Sequence, residues 1–272
     1  MREHRSPNEI RTLLEGVAAG EVSIDTAEAE LAGYVTGTAG RFDAARERRR
    51  GIPEAILADG KTPDEVAAFA TTAVETTGRA LVTRSGPDHR RVVRECIVTE
   101  HPEASIHVDE RARTLVAHAP DFERPSLDAR VGVVTAGTSD AVPAGEAALV
   151  AREIGATVDR LDDVGVANLA RIVDQLDELR QLDVLVVAAG REGALPTVVA
   201  SAVDAPVIGL PVSTGYGHGG QGEAALLGML QSCTVISTVN VDAGFVAGAQ
   251  AGLIARRIDA ARTDNETIGH EN

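Results

Sequence analysis

From residue 129 onward, short apolar runs alternate with longer stretches of helical period. The runs fall at 131–134, 182–187, 206–210 and 234–239, with a more polar one at 157–161. The helical stretches between and after them cover 143–154, 166–180, 195–203, 223–230 and 245–258. Runs this short that stay apolar on both sides of the pleat read as strands buried on two faces, and a helix after each supplies the crossover that parallel pairing needs. The pattern predicts an α/β domain over residues 126–262, a doubly wound parallel sheet whose site lies at the carboxyl ends of its strands.

Upstream the pattern is less regular. Ile10, Leu13, Leu14 and Val17 recur at helical spacing, Gly20 ends the run, and 23–30 begins a second helix with acidic residues in its first turns. Residues 62–77 fit a third, with Thr62 and Glu65 at the spacing of a capping box. Apolar segments at 80–82, 94–98 and 114–117 predict strands of a smaller α+β unit, residues 1–125. The stretch 121–128 reads as a linker and 263–272 as an unstructured tail. Between 41 and 62 the chain gathers Asp43, Arg46, Arg48, Arg49, Arg50, Glu54 and Lys61 around a Gly-Ile-Pro break. That cluster fits a solvated basic helix and equally a clamp for phosphate or carboxylate.

Charge narrows the partners. Acidic residues number 41 against 26 basic, a formal charge of −15, and every basic residue except Lys61 is arginine. Nucleic acid is a poor match for such a surface. No run approaches the ~20 apolar residues of a membrane span, and the first ten residues carry no apolar targeting segment, so a cytoplasmic location is expected. An acidic surface nearly devoid of lysine is expected of a protein kept soluble in concentrated salt, where self-repulsion is screened. Cys96 and Cys233 read as free thiols. Cys96, His101, His107 and His118 share no metal-ligand spacing and read as structural or surface residues.

Three loops follow strand ends. TAGTSD (135–140) follows the first, AAGREGALP (188–196) the third, and a glycine-rich loop (211–222) the fourth, with Gly215, Gly217, Gly219, Gly220 and Gly222 inside eight positions. Glycines this dense let backbone N–H groups approach an anion or a ring, and this loop opens a helix, whose first turn favours anions. None is a Walker loop or a GxGxxG. In TAGTSD, Gly137, Thr138, Ser139 and Asp140 suit a phosphate and a ribose, although Ser139 or Asp140 could equally cap a helix.

These loops and the alternating sheet resemble the purine-pathway aminoimidazole ribonucleotide carboxylase and mutase class, PurE. A fuller set is closer to the LarB family, which makes the precursor of the nickel-pincer nucleotide cofactor. It comprises DxxRERRxGxPE at 43–54 with Gly60-Lys61, RLDDVGVANLAR at 160–171, GREGALP at 190–196, GYG at 215–217, MLQSC at 229–233 and NVDAGFVAG at 240–248. The resemblance covers roughly 41–258, whereas the likeness to the purine enzymes covers only the C-terminal half. The chain departs from the usual LarB pattern at Ala243, where the family often has asparagine, and at His218 and Gln221.

The resemblance implies a PurE-like, flavodoxin-like three-layer fold and a carboxylase/hydrolase. Its members carboxylate the pyridinium ring of nicotinic acid adenine dinucleotide with CO2 or bicarbonate and cleave the phosphoanhydride to release AMP. The other product is pyridinium-3,5-biscarboxylic acid mononucleotide. By similarity Cys233 is the nucleophile and Glu192 the base. Substrate contacts fall to Gly137, Thr138, Ser139, Asp140, Asp163, Gly190, Gly193, Ala194, Gly215, Tyr216, Gly217 and Asp242, with Asp43, Arg46, Arg49 and Lys61 from the basic cluster. No organic cofactor is implied; Mg2+ at Asp140 or Asp242 stands beside the reading of those residues as caps. A homo-oligomer, an octamer by resemblance, is implied too. Outside the resemblance, Cys233 reads equally as a buried apolar thiol and Glu192 as an early-helix carboxylate. Two other readings are a purine-pathway mutase, which would use a histidine in the loop after the third strand where this chain has none, and a non-catalytic nucleotide-binding module.

Overall fold

The computed structural model describes residues 7–24, 27–28, 31 and 33–269, with side chains described between 10 and 264 apart from the gaps in the first stretch. It divides into two compact units, residues 1–108 with 114–123, and residues 109–113 with 124–272.

The first unit begins with α1 (Pro7–Ala18), the hairpin β1 (Val35–Gly37) and β2 (Gly40–Phe42), and a five-residue helix α2 (Arg46–Arg50). The second helix expected over 23–30 falls partly outside the described residues. A four-stranded sheet follows, built from β3 (Ile56–Leu57), β4 (Arg79–Thr83), β5 (Ser105–Asp109) and β6 (Thr114–His118) in the order β3-β4-β6-β5. Helices α3 (Pro63–Thr77) and α4 (Pro87–Glu100) complete the unit. Thr62 caps α3 in the anticipated box: its hydroxyl accepts the Glu65 N–H, and the Glu65 carboxylate accepts the Thr62 N–H at 2.7 Å. Residues 94–98, expected as a strand, lie inside α4. Val93 and Ile97, four apart, are fully buried, which is the helical period, and Pro87 opens the helix behind Gly86.

The second unit is the predicted sheet. Its strands are β7 (Arg130–Thr135), β8 (Thr157–Leu161), β9 (Val184–Ala189), β10 (Val207–Pro211) and β11 (Ile236–Thr238), all parallel, in the order β11-β10-β9-β7-β8. Alternation along the strands feeds two cores. Val131, Val133, Val184, Val186, Ile208 and Leu210 pack on one face, against the small residues of α5 (Ala141–Ile154) and α10 (Gly244–Gly269). Val134, Leu185 and Val187 pack on the other, against Leu195 and Val199 of α8 (Ala194–Ala200) and Met229 of α9 (Glu223–Leu230). Two apolar faces on one sheet make the three layers.

Two expectations need correction. The single helix expected at 166–180 is two four-residue helices, α6 (Ala170–Val173) and α7 (Leu176–Leu179), because only Ile172 and Leu179 of these helices are buried and the polar stretch between them has no core to hold it in register. The tail expected from 263 is helical as far as Gly269, continuing α10, which is anchored where Arg262 forks onto Asp183 at 2.5 and 3.1 Å.

Candidate active site

Relative to β7 as the first strand of this sheet, the order is 2-1-3-4-5, so the direction of winding reverses between β7 and β9. A crevice opens at the carboxyl ends of strands at such a reversal. The loops that leave those two strands carry Asp140 and Gly190, and the structure brings them together. Asp140 is 2% exposed; one of its oxygens accepts the Gly137 N–H at 2.8 Å and the other the Thr214 hydroxyl at 3.3 Å. Gly190 is packed against the same pair: a methyl there would lie 2.5 Å from the Thr214 hydroxyl and 3.7 Å from the Asp140 carboxylate. Three loops thus meet at one carboxyl group, two of them through side chains.

The fourth loop is stapled to the fifth. The Asp242 carboxylate accepts the Ser213 N–H at 3.0 Å, and the Asp242 N–H donates to the Pro211 carbonyl at 2.9 Å. On the β8 side the Thr135 hydroxyl, at the end of β7, donates to Asp162 at 3.0 Å and accepts the Asp163 N–H at 3.1 Å, while Arg171 donates to Asp163. Above the third loop the Arg191 guanidinium lies over the Tyr216 ring, 4.7 Å from its centroid, with Tyr216 75% exposed. Among the described residues, four of the six non-glycine residues with left-handed backbone, Asp163, Arg191, Gln221 and Asp242, lie in these loops. Strain of this kind persists where surrounding structure over-determines it, and it gathers at functional sites.

Burial pushes the Asp140 carboxyl above its ordinary range, against the pull of hydrogen bonds from Gly137, Thr214, Ser139 and Ala136. The folded protein therefore holds that proton more tightly than the unfolded chain. The ionised group subtracts stability above its folded pKa, and that loss is relieved as pH falls through the folded pKa toward the ordinary value of 3.8. Asp140→Asn, which keeps an acceptor for Gly137, is expected to be more stable than wild type at pH 7, with the gap closing on acidification. Urea denaturation across pH measures this, and a gap that widens in acid contradicts it.

Cys233 and Glu192 are both exposed. The reading of Cys233 as a buried thiol is thereby overturned. Glu192 stands in the turn ahead of α8, and Cys233 follows the end of α9. The two helices are locked together. The Thr197 hydroxyl of α8 donates to the Ser232 hydroxyl at 2.8 Å, and a methyl at Gly228 of α9 would lie 2.3 Å from the Glu192 carbonyl. Both side chains therefore belong to one α8–α9 pair, Glu192 before the first helix and Cys233 after the second.

Gly193, Ala194, Gly215 and Gly217 line the same loops, and Thr138 and Ser139 form the short helical turn before α5. Asp140 and Asp242, the metal candidates, each hold a loop N–H, so their geometry is that of loop staples. A Mg2+ site needs several oxygens turned toward one point. Among the described residues, a group with ligand atoms within 4.8 Å of one another is Glu75, Glu100 and His101, in the first unit. The basic cluster is internally paired there: Arg46 binds Glu54 at 2.8 Å, Arg49 binds Asp43 through two hydrogen bonds, and Lys61 donates to the Leu57 carbonyl. The basic helix is real but short, and its neighbour Arg79, 2% exposed, pairs with Glu47 and lies over Phe122. Sequence reasoning passed over Thr214, Ser213 and Arg191, whose roles arise from contacts between distant loops. It also passed over Arg111, which donates to the Thr138 carbonyl at 3.3 Å.

Residues 130–268 match the family model described as AIR carboxylase, and residues 35–119 match the one described as LarB/PurE-like N-terminal domain. The chain is 37% identical over 253 residues to an uncharacterized protein of Methanocaldococcus jannaschii, covering 91% of this chain and 97% of that protein.

Proposed function

The chain belongs to the LarB family, with a PurE-like second domain of the carboxylase type, and from that premise we propose that it carboxylates the pyridinium ring of nicotinic acid adenine dinucleotide through an adduct on Cys233 and cleaves the phosphoanhydride to release AMP. The observation that supports this reading is that an exposed thiol, Cys233, and an exposed carboxylate, Glu192, flank one helix pair, α8 and α9, with Glu192 in the loop that leaves β9.

The chemistry follows from the ring. A pyridinium is electron-poor and does not attack CO2. Addition of the Cys233 thiolate para to the ring nitrogen converts it to a dihydropyridine, whose enamine carbon is nucleophilic. That carbon forms a C–C bond to CO2, and the ring nitrogen regains its positive charge. Glu192 removes the proton from the newly carboxylated carbon, and the returning electron pair expels the thiolate and restores aromaticity. The sum is one C–H bond exchanged for one C–carboxylate bond and one proton, with no change of oxidation state beyond the CO2 fixed. Water cleaves the phosphoanhydride, and the products are AMP and pyridinium-3,5-biscarboxylic acid mononucleotide.

The experiment is mass spectrometry of small molecules and intact protein after incubation with the dinucleotide, bicarbonate and Mg2+ in high salt. AMP together with a mononucleotide heavier by one CO2 supports the reading. No turnover by folded protein overturns it and brings forward the purine-type reading or a nucleotide-binding module. The exposed apolar side chains Leu227 and Leu230 of α9 and Val235 beyond it support a homo-oligomer, since such residues cluster at subunit contacts. The acidic, lysine-poor composition supports a salt-requiring protein. Its melting temperature is expected to rise with salt to molar concentrations, and greatest stability in dilute buffer would sink that idea.

A further inference from the structure

Four arginines approach the carboxyl ends of the strands, and they differ in what they hold. Arg160 is engaged by Asp162 at 3.1 Å and Asp109 at 3.9 Å, and Arg171 by Asp163 at 3.1 Å. Arg191 lies over Tyr216. Arg111 alone spends an N–H on a carbonyl of the Gly137–Asp140 turn, and among the described residues no carboxylate pairs with it.

The segment that carries Arg111 is fixed. Residues 109–113 belong to the second unit. The Asp109 carboxylate accepts the Ala112 N–H at 2.8 Å, the Arg113 N–H donates to the Glu110 carbonyl at 3.3 Å, and Arg113 takes the left-handed conformation, so the segment is a tight turn. Ala112 is 2% exposed and seated on α5 at Gly145, where an added methyl would lie 2.2 Å from the Ala112 methyl. The alanine is the plug, and the residue before it is thereby held at the rim of the turn with its guanidinium exposed.

We propose that Arg111 is a phosphate-binding, specificity-determining residue of this site, gripping the pyrophosphate of the dinucleotide beside the Gly137–Asp140 turn. This rests on the reading of the crevice as a nucleotide site. A guanidinium with one N–H anchored keeps a planar edge for two parallel hydrogen bonds to phosphate oxygens, and anchoring reduces the freedom lost on binding. Lysine offers the charge without the fork.

The test uses the full-length protein and two readouts, titration calorimetry with inorganic pyrophosphate and AMP, and steady-state turnover of the dinucleotide. Arg111→Gln is expected to weaken pyrophosphate binding and raise KM by about tenfold or more, with kcat within about threefold of wild type. Arg111→Lys restores part of the loss, and the salt dependence of binding is shallower in the glutamine variant. Circular dichroism and melting verify that the exposed substitution leaves the fold intact. Unchanged pyrophosphate affinity and KM in Arg111→Gln overturn the proposal, as does wild type that binds neither pyrophosphate nor AMP. Wild type that binds pyrophosphate through Arg111 yet forms no carboxylated product upholds this assignment and rejects the reaction. Turnover with an unaffected KM does the reverse.

Discussion

Cys233→Ala is expected to lose carboxylation by on the order of 10³-fold or more while keeping its fold, because in the proposed reaction the thiol is the group that makes the ring nucleophilic. Cys233 is exposed and follows a helix that ends at Leu230, so removing its sulfur opens no core cavity. Stability is expected to change by less than about 0.5 kcal/mol. AMP release is followed separately, since phosphoanhydride cleavage needs water and not the thiolate. A variant that still makes AMP but no carboxylated mononucleotide separates the two reactions. Undiminished carboxylation by the alanine variant rules out the cysteinyl adduct.

The second large effect concerns the scaffold. Gly244, Gly248 and Gly252 recur every four residues on the face of α10 that meets α5. Methyl groups at these positions would lie 2.1 Å from the Pro143 carbonyl, 2.3 Å from the Ala147 carbonyl and 2.5 Å from the Ile154 side chain. The helices approach so closely that backbone lies against backbone, and Ala144, Ala147, Ala148 and Ala151 supply the other half of the contact. Gly248→Ala must push the helices apart, and helices cannot yield as a flexible side chain does. A loss of about 3 kcal/mol is expected, roughly ten degrees in melting temperature for a domain of this size. Val246→Ala, on the exposed side of the same helix, serves as the control and is expected to stay within about 0.5 kcal/mol. Equal effects from the two would refute the close-packing account.

The central strands β7, β9 and β10 were legible because each is apolar and buried on both faces, whereas β8 and β11 are more polar and were placed by the alternation around them. Asp140, Gly190 and the glycine-rich loop were legible by position, as residues at strand ends. Their junction was not, since the Thr214 hydroxyl reaches Asp140 across 74 residues of sequence and no local pattern encodes that. Segment 94–98 misled because Cys96, Ile97 and Val98 form an apolar run at either period, and only burial of Val93 with Ile97 decides for helix. Arg111 gave no signal at all. It is one arginine among many, and what distinguishes it is the seat that Ala112 finds on α5.

The two cysteines differ in a way that has practical force. Cys96 is half-buried, and burial followed by the nearby carboxylates of Glu100, Asp64 and Glu95 pushes its thiol pKa up, which keeps it protonated and sluggish toward electrophiles. Cys233 stands in solvent. An alkylating reagent in brief, limiting exposure is therefore expected to mark one sulfur per chain, the one proposed for the chemistry. Under the proposed role, label incorporated against activity lost is expected to count the competent chains in a preparation. If Cys233 carries the proposed role, peroxide is expected to silence the protein, with recovery by thiol as long as oxidation stops at the sulfenic stage.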